Sequence, residues 1–535
     1  MSATELSNLA DRHWAFVLDR DPLVRLRRGL PVERLPDLGP GEAGARAGHA
    51  RDLLAHLDAL SAEGADPDTA GFLRAEAERE IAAERHYWLV HPVTPYRCEF
   101  ALYEEMVFRR HPFGTAGDVE RYLTLLSSYA RLVSSAAVKV AGQTARGIRV
   151  ARPALAGTVG MLTALRDGGP AALRPGPGRS AALGAADRGR LDDGAERLLR
   201  DELLPAFDRL LAFFDADYHQ AAPREVGWVR YAGGEEAYRE FVRIETTLDT
   251  TPEALYDQGL AEIEKLTERM NDLQAGMDLP GGNGDHLARL RRDRRLYARS
   301  AADLEDRFRA CVQRLDPALE PSMTYGYYEE PTAERPRGVY HYNGSQLADR
   351  PIVNAAALIY HELMPGHHLQ VTRQAAETAL PEVRREAQLT AYVEGWAEYA
   401  SDLCWEMGMY TDPWDAYGSL YQQRMTAQRL VLDTALNLGR WGLERGRDLL
   451  RAGTILSEGQ IASETLRYAT DIPAQALAYR TGHLAIAEMR RHAETSLGSG
   501  FDVSDFHEVV LGAGALPLTV LRARVERWIT ASRPA

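Results

Sequence analysis

Residues 351–374 read PIVNAAALIYHELMPGHHLQVTRQ, and this stretch decides the interpretation of the 535-residue chain. Its apolar first half predicts a helix that leads directly into a group of polar side chains. That group places three imidazoles and one carboxylate within eight residues: His361, Glu362, His367 and His368. Neutral imidazole is a good zinc ligand, and a neighbouring glutamate can accept a proton from activated water. The stretch therefore predicts a metal site on a helix.

The spacing of these residues departs from HExxH, in which two histidines lie one helical turn apart. Four residues after His361 the chain has Pro365, which cannot donate the helical hydrogen bond, and Gly366 frees the backbone further. We expect the helix to kink or bulge at this point. Only such a distortion would bring His367 or His368 to the same metal as His361, and spacing does not choose between the two.

A second helix is predicted over residues 381–407, and it carries three acids at four-residue spacing: Glu394, Glu398 and Asp402. Like charges on a partly buried helix face repel one another, so we expect a cation to offset them. A turn near residue 380 would fold the two helices into an antiparallel hairpin with His367 opposite Glu394. Gly395 has no side chain and would let the helices approach closely.

The hairpin predicts one zinc ion per chain, held by His361, His367 and Glu394, with Glu362 as general base and one coordination position open. An isolated His-Glu dipeptide is usually accidental, and a helical acidic stripe is usually a solvated face. The combination on two facing helices is what favours a metal site.

The remaining sequence predicts a mainly α-helical protein with a small β-sheet. Helical periodicity covers three long segments, residues 71–88, 191–217 and 251–274. A kink or restart is expected at Pro205. The tyrosine-rich residues 322–345 predict a small sheet or hairpin with a strand at 338–342. That strand, with Tyr342 as a candidate substrate contact, could pair with an extended peptide, although a purely structural hairpin is the favoured interpretation.

Two lobes are expected, a helical lobe over residues 1–320 and a catalytic lobe over residues 321–535, unless the chain forms one continuous domain. The Gly- and Pro-rich residues 168–189 predict a long exposed loop in the first lobe.

Charge and composition exclude several classes of protein. The 63 basic and 77 acidic side chains give a net charge of −14, which argues against a nucleic-acid or anionic-membrane binder. The sequence has no run of 18 apolar residues, so we expect no membrane span. Three scattered cysteines and the lack of a recognisable signal peptide favour the cytoplasm. Oligomeric state is not predicted.

The block HELMPGHHLQ, residues 361–370, resembles the HExxPGHHxQ marker of the DUF885 family of bacterial proteins. Three further segments match that family: residues 13–29, 392–397 and 473–479. The resemblance implies a gluzincin-like zinc metallopeptidase architecture, with helical lobes around a metal-binding helix pair and a small sheet beside it. It also implies His361, His367 and Glu394 as ligands and Glu362 as base. His367 is preferred to His368 because the second histidine of the pair is the one that relatives replace.

One position departs from the family pattern. Residues 433–437 read DTALN, where relatives commonly have DTGxH, so Asn437 stands in place of a histidine. If that histidine orients substrate or stabilises an oxyanion, this chain has an altered specificity or reaction.

The expected reaction is metal-assisted hydrolysis of an amide bond in a small peptide or related substrate. Glu362 would accept a proton from water and pass it to the leaving nitrogen. Tyr479 is the candidate donor to the developing oxyanion, and Arg480 is a candidate for binding a substrate carboxylate. Glu398 or Asp402 would hold a ligand histidine by its far nitrogen.

Three alternatives stay open at this stage. A biosynthetic amidase or deacylase would use the same site on a non-peptide substrate. A non-haem iron enzyme is also compatible with carboxylates and histidines on facing helices, although residues 394–397 lack the histidine of a di-iron ExxH motif. A metal-free scaffold protein is the third alternative.

Overall fold

The computed structural model describes residues 2–60, 65–96, 98–277, 290, 292–293, 297, 299–302, 312–314, 326–329, 338–345 and 352–533. The first twelve helices, in chain order, are α1 (Ser2–Arg20), α2 (Pro22–Arg27), α3 (Pro40–Ala59), α4 (Pro67–Arg85), α5 (Glu99–Tyr103), α6 (Ala116–Ala145), α7 (Arg152–Ala172), α8 (Ala185–Leu198), α9 (Leu204–Leu211), α10 (Ala216–Ala221), α11 (Gly234–Thr246) and α12 (Pro252–Gly276). Three short strands follow: β1 (Val312–Arg314), β2 (Gly326–Glu329) and β3 (Val339–Tyr342).

The C-terminal part is again helical. Its helices are α13 (Ala355–Glu362), α14 (His367–Ala376), α15 (Glu382–Arg385), α16 (Thr390–Glu406), α17 (Pro413–Asn437), α18 (Leu443–Gly453), α19 (Glu458–Leu466), α20 (Ala478–Leu497), α21 (Val503–Leu511) and α22 (Leu518–Ser532). The predicted fold class, mainly α with a small β-sheet, is confirmed. No helix within the described ranges is long and apolar enough to cross a membrane.

Local sequence signals fix several helix starts. Thr115 and Asp118 form a capping box at the start of α6, and Ser457 and Gln460 form another at the start of α19. In each, the side chain of the first residue accepts a backbone N–H that the helix itself leaves unpaired. The predicted interruption near Pro205 is present as a π-helical turn, Leu199–Leu203, between α8 and α9.

Two predicted boundaries are wrong. The expected loop over residues 168–189 is shorter, because α7 continues through Pro170 to Ala172 and α8 begins at Ala185. A proline in the last turn removes a single helical hydrogen bond, so the helix tolerates it. The expected helix over residues 381–407 is two helices, α15 and α16. Two carbonyl groups at the break, those of Arg384 and Ala387, accept hydrogen bonds from the buried amide of Gln374 at 3.1 and 2.9 Å.

The sheet has the order β1-β3-β2, with β3 parallel to β1 and antiparallel to β2. Since β3 has a partner on each side, the predicted pairing of this strand with a substrate peptide is wrong. The prediction of Tyr342 as a substrate contact is also wrong. Tyr342 is fully buried and packs with Ala355 and Leu358 of α13, so the sheet supports the helix that leads into the metal site.

The hydrophobic core does not follow the expected division at residues 320 and 321, which themselves lie outside the described residues. One cluster joins Leu6 and Phe72 from the first helices to Trp396 and Phe506 from the last ones. Helix α17 runs through the protein interior and is buried along most of its length. It carries arginine, aspartate and asparagine side chains into that interior.

Candidate metal centre

The HELMPGHH block forms the end of one helix and the start of the next. Helix α13 ends at Glu362, the chain turns over residues 363–366, and α14 begins at His367. Gly366 is required at this turn, because a Cβ atom there would collide with the carbonyl groups of Tyr360 and His361. The predicted distortion at Pro365 and Gly366 is therefore a complete break between two helices.

This break directs both imidazoles towards a glutamate on α16. The Nε2 atom of His361 lies 3.4 Å from Oε2 of Glu394, and Nε2 of His367 lies 3.5 Å from the same oxygen. The two imidazole rings are nearly perpendicular, with centroids 4.6 Å apart. One ligand atom from each of the three residues lies within 4.8 Å of the other two. The structure thus gathers the three side chains that the sequence predicted as ligands.

The donor set and its spacing fit a small divalent cation. Ligands at zinc distances of about 2.0–2.1 Å, in tetrahedral geometry, are separated from one another by roughly 3.3 Å. The two imidazole-to-carboxylate distances of 3.4 and 3.5 Å are close to that value. In addition, Oε2 of Glu394 is buried and has no well-aligned hydrogen bond to any described residue. A buried carboxylate oxygen without a donor is costly, and a cation at this point would satisfy it.

The charges of the cluster reinforce one another. Burial alone would lower the pKa of His361, but the carboxylates of Glu394 and Glu398 raise it well above its ordinary value. Burial alone would raise the pKa of Glu394, but His361 and His367 lower it well below its usual range. Without a metal, the imidazole of His361 therefore stays protonated between the carboxylates of Glu394 and Glu398. Binding of a metal ion would displace that proton, which makes binding pH-dependent.

Glu362 lines the same cavity as the three candidate ligands. Burial raises the pKa of its carboxyl group above the ordinary value. A raised pKa suits a general base that must accept a proton near neutral pH and release it again. Its position directly after His361 keeps it next to the cluster.

Glu398 and Asp402 have different partners, and this settles a choice that the sequence left open. Glu398 is 1% exposed, and its Oε1 atom lies 3.2 Å from Nδ1 of His361. Asp402 instead accepts a hydrogen bond from Gln423 and lies 3.4 Å from His483. Of the two acids, Glu398 is therefore the one that faces the far nitrogen of His361, the position from which a carboxylate can orient a ligand imidazole.

Tyr479, at the start of α20, forms another wall of the cavity. Its ring lies nearly parallel to that of His361, with centroids 6.5 Å apart. Burial and the nearby charge of Glu394 raise its pKa to about 12, which keeps the hydroxyl protonated and able to donate. Helix α20 reaches this position through a close contact at Gly482, which packs against Gly395 of α16. The close approach predicted at Gly395 is thus made to α20.

His368 lies outside the cluster. Its Nδ1 atom hydrogen-bonds with the hydroxyl group of Tyr328 on β2 at 2.6 Å. The histidine directed towards Glu394 is His367, as the family resemblance implies. His341, on β3, pairs with Glu329 at 2.7 Å and does not belong to the cluster.

Two other site candidates from the sequence, Arg480 and Asn437, do not line the cavity. Arg480 is 2% exposed, forms an ion pair with Glu262 and donates to Nδ1 of His483, so it is inaccessible to a substrate carboxylate. Asn437 is fully buried. Its amide donates to the carbonyl of Tyr468 at 2.9 Å, and its Oδ1 atom accepts from the backbone N–H of Trp228 at 3.3 Å. Asn437 satisfies backbone groups in the core and does not line the cavity.

The cavity beside the candidate ligands has a volume of about 360 Å³ and contains residues that sequence reasoning missed. These are mainly charged and aromatic side chains on its far wall: Tyr96, Arg429, Glu464 and Arg467. The available signal was the presence of arginines within largely apolar helical segments, but periodicity does not reveal which of them face a cavity.

A second cavity adjoins the first. It has a volume of about 1000 Å³, and Tyr96 and Tyr328 line both cavities. Most of its lining is apolar and includes Leu23, Val107 and Met161. The two cavities together offer a polar site with an apolar extension.

Comparison with known proteins identifies the family. The profile of a family described as "Bacterial protein of unknown function (DUF885)" matches residues 22–525. No curated protein sequence matches the chain. A crystal structure of a "putative lipoprotein" from Colwellia psychrerythraea is similar over 99% of this chain and 100% of that one, with a TM-score of 0.90 and 22% identity. A second solved structure, of a "putative lipoprotein of unknown function" from Shewanella oneidensis, is similar over 97% of this chain and 99% of that one, with a TM-score of 0.67 and 14% identity. These likenesses show a shared fold, and the profile match over nearly the whole chain shows that the protein belongs to the DUF885 family.

Proposed function

We propose that the protein is a zinc-dependent hydrolase that cleaves a peptide or related amide bond in a small substrate. The observation that carries this proposal is the convergence of His361, His367 and Glu394 on one point, where a buried carboxylate oxygen has no well-aligned hydrogen bond from any residue that the structure describes. Glu362 lies in the same cavity and supplies the base that hydrolysis needs.

Three side chains of the protein have separate roles in the proposed reaction: Glu362, Tyr479 and Glu398. When bound, a zinc ion supplies Lewis acidity, which polarises a carbonyl group and makes water a stronger nucleophile at neutral pH. Glu362 accepts the proton of the attacking water and passes it to the leaving nitrogen. Tyr479, protonated at neutral pH, donates a hydrogen bond to the oxyanion that develops on the substrate carbonyl. Glu398 fixes the orientation of His361 throughout.

The adjoining apolar cavity favours a second candidate, a deacylase that removes an apolar acyl group from an amine. In that case the acyl chain would extend past Tyr96 and Tyr328 into the larger cavity. A panel of substrates that contains both short peptides and long-chain N-acyl amides separates the two candidates. Preference for acyl chains of eight or more carbons would favour the deacylase.

The decisive experiment pairs metal analysis with replacement of the base. The purified protein should retain close to one zinc per chain, and Glu362→Gln should retain the same zinc while turnover falls by about 10²- to 10⁴-fold. Stoichiometric iron would instead favour a non-haem iron enzyme, since two histidines and one carboxylate also suit iron. Full activity of Glu362→Gln would refute the assignment of the base, and absence of any bound metal would favour the scaffold alternative.

We also propose a cytoplasmic location. Cys98 and Cys404 are both free thiols, which is typical of proteins from a reducing compartment. The two similar solved structures are described as lipoproteins, so cell fractionation with an antibody to the protein is a worthwhile test. Recovery in the membrane or exported fraction would refute the proposed location without affecting the proposed chemistry.

A further inference from the structure

Two buried arginines form part of the wall of the metal cavity. Arg429 comes from the interior helix α17, and Arg467 comes from a π-helical turn, Arg467–Asp471, that follows α19. Each is only 7% exposed, yet both line the cavity together with His361 and Tyr479. Cationic side chains buried at the wall of a cavity need an explanation, because burial of unpaired charge is costly.

One carboxylate is shared between the two guanidinium groups. Glu464 lies 3.3 Å from Arg429 and 3.5 Å from Arg467, and it is the acid that forms ion pairs with either of them among the residues that the structure describes. Both arginine pKa values are raised, so both side chains are charged. These three side chains alone therefore carry a net positive charge at a cavity wall where a substrate carboxylate could lie.

The hydrogen bonds of the two arginines also leave a donor available for an anion. Arg467 donates one N–H to Gln475 at 3.1 Å, but its buried Nε–H group has no acceptor within the described part of the chain. Arg429 donates its Nε–H to the hydroxyl of Tyr468 at 2.8 Å. A guanidinium group with free donors is the usual partner of a carboxylate, which it binds through two parallel hydrogen bonds.

The distance to the metal cluster limits where that carboxylate can lie in a substrate. The guanidinium carbon of Arg429 is 4.7 Å from the ring centroid of Tyr479, which is 6.5 Å from that of His361. The guanidinium thus lies at most about 11 Å from the His361 ring. One residue of extended chain spans roughly 3.5 Å, and a guanidinium–carboxylate pair adds roughly 4 Å between carbon atoms. A carboxylate one residue beyond the scissile bond fits this reach.

We propose that Arg429 and Arg467 bind the free α-carboxylate of an amino acid on the leaving side of the scissile amide. The inference rests on the proposed function and narrows its substrate class. It makes the protein an enzyme that releases a carboxyl-terminal residue from a short peptide, or an amino acid from its N-acyl derivative. In this proposal Arg429 and Arg467 bind the substrate carboxylate, the role that the sequence predicted for Arg480.

A binding measurement tests the pair independently of turnover. Full-length protein freed of metal with a chelator is titrated calorimetrically with N-acetyl-L-alanine and with its uncharged analogue, N-acetyl-L-alaninamide. Removing the metal prevents direct ligation of the carboxylate by zinc. We expect the acid to bind about 10- to 100-fold more tightly than the amide, the range of a charge-assisted hydrogen-bond pair.

Two variants of Arg467 and one control complete the test. Arg467→Gln should abolish the preference for the acid. Arg467→Lys keeps the charge beside Glu464 and protects the fold, but should lose most of the preference because lysine lacks the planar fork. Arg491→Gln serves as the control, since Arg491 is exposed on α20 at a distance of about 18 Å along the helix from Tyr479. Circular dichroism establishes that each variant is folded. If Arg467→Gln does not fold, the lysine variant decides.

Hydrolysis of N-benzoylglycyl-L-alanine and of its carboxyl-terminal amide by zinc-loaded protein provides the second readout. The acid should be cleaved with a kcat/KM at least 10-fold higher than that of the amide, and the ratio should fall in both Arg467 variants. Equal binding of the acid and amide probes by wild-type protein, or a preference that persists in both variants, would overturn the inference. Arg467-dependent binding without any hydrolysis would refute the proposed function alone, whereas hydrolysis without discrimination would refute the arginine subsite alone.

Discussion

Replacing Gly395 with alanine should disturb the metal centre without touching any candidate ligand. A Cβ atom at position 395 would lie 2.5 Å from Cα and 2.6 Å from the carbonyl carbon of Gly482. Non-bonded carbon atoms pack at about 3.5–4.0 Å. Helices α16 and α20 must therefore separate by about 1 Å to accept a single methyl group, because both atoms that it meets belong to the backbone.

That separation would move a candidate metal ligand away from the candidate oxyanion donor. Glu394, the residue before Gly395, is the candidate ligand on α16, and Tyr479 lies on α20 three residues before Gly482. Overpacking of a close helix contact costs about 1–3 kcal/mol in the free energy of unfolding. A displacement of about 1 Å between groups that act together can lower turnover by about 100-fold. We expect both effects, and a weaker affinity for zinc.

Gly160→Ala is the matched control. Gly160 lies within α7, and a Cβ atom there would meet nothing within 4 Å. Alanine in an open helical position should stabilise the protein by about 0.5–1 kcal/mol. Guanidinium chloride unfolding, zinc titration and steady-state kinetics on both variants give the comparison. If Gly395→Ala is as stable as Gly160→Ala and binds zinc like the wild type, the close contact does not position the site and this reasoning is refuted.

Three further predictions follow from individual contacts. Tyr479→Phe should lower kcat by about 10²- to 10³-fold in steady-state assays and leave zinc affinity intact, since it removes only an oxyanion donor; an unchanged kcat would exclude that role. Glu398→Gln should raise the zinc dissociation constant by about 10- to 100-fold in calorimetry, because the carboxylate no longer supports Nδ1 of His361; unaltered affinity would contradict it. Asp433→Asn concerns stability: burial raises the pKa of Asp433 to about 7 from an ordinary 3.8, so the folded protein holds this proton more tightly than the unfolded chain. The stability that this proton gives the wild type is complete below pH 3.8 and is lost as the pH rises through 7. An asparagine side chain does not titrate, so the free energy of unfolding of the Asp433→Asn variant should rise relative to that of the wild type by about 4 kcal/mol between pH 4 and 8.5. A difference that is constant with pH would show that Asp433 ionises normally.

The ligand cluster can be predicted from the sequence because it depends on residue types and on short spacings along the chain. Pro365 and Gly366 predict a break in a helix. The break allows the imidazole of His367 to approach the same carboxylate, that of Glu394, as the imidazole of His361. Glu394 could be added because one face of a predicted helix carried acids that required a cation. The family resemblance chose His367 over His368, and the structure gives the physical difference, since His368 is engaged by Tyr328.

The far wall of the cavity could not be predicted in the same way. Arg429, Arg467 and Arg480 all lie in helical segments, and sequence does not distinguish an arginine that faces a cavity from one that is paired in the core. Which arginine faces the cavity depends on packing between elements that are distant in sequence. Glu262 of α12 forms an ion pair with Arg480, whereas Glu464 forms ion pairs with both Arg429 and Arg467. The same limit explains Asn437, whose hydrogen-bond partners Trp228 and Tyr468 lie 209 and 31 residues away in the sequence.

The most direct test of the account is a crystal structure of zinc-soaked protein with anomalous data collected on both sides of the zinc absorption edge. We predict one strong anomalous peak per chain, within about 2.0–2.2 Å of Nε2 of His361, Nε2 of His367 and a carboxylate oxygen of Glu394. The peak should vanish in Glu394→Ala and persist in His368→Ala. A peak that is coordinated elsewhere, or no peak at saturating zinc in a well-ordered crystal, would contradict the central claim.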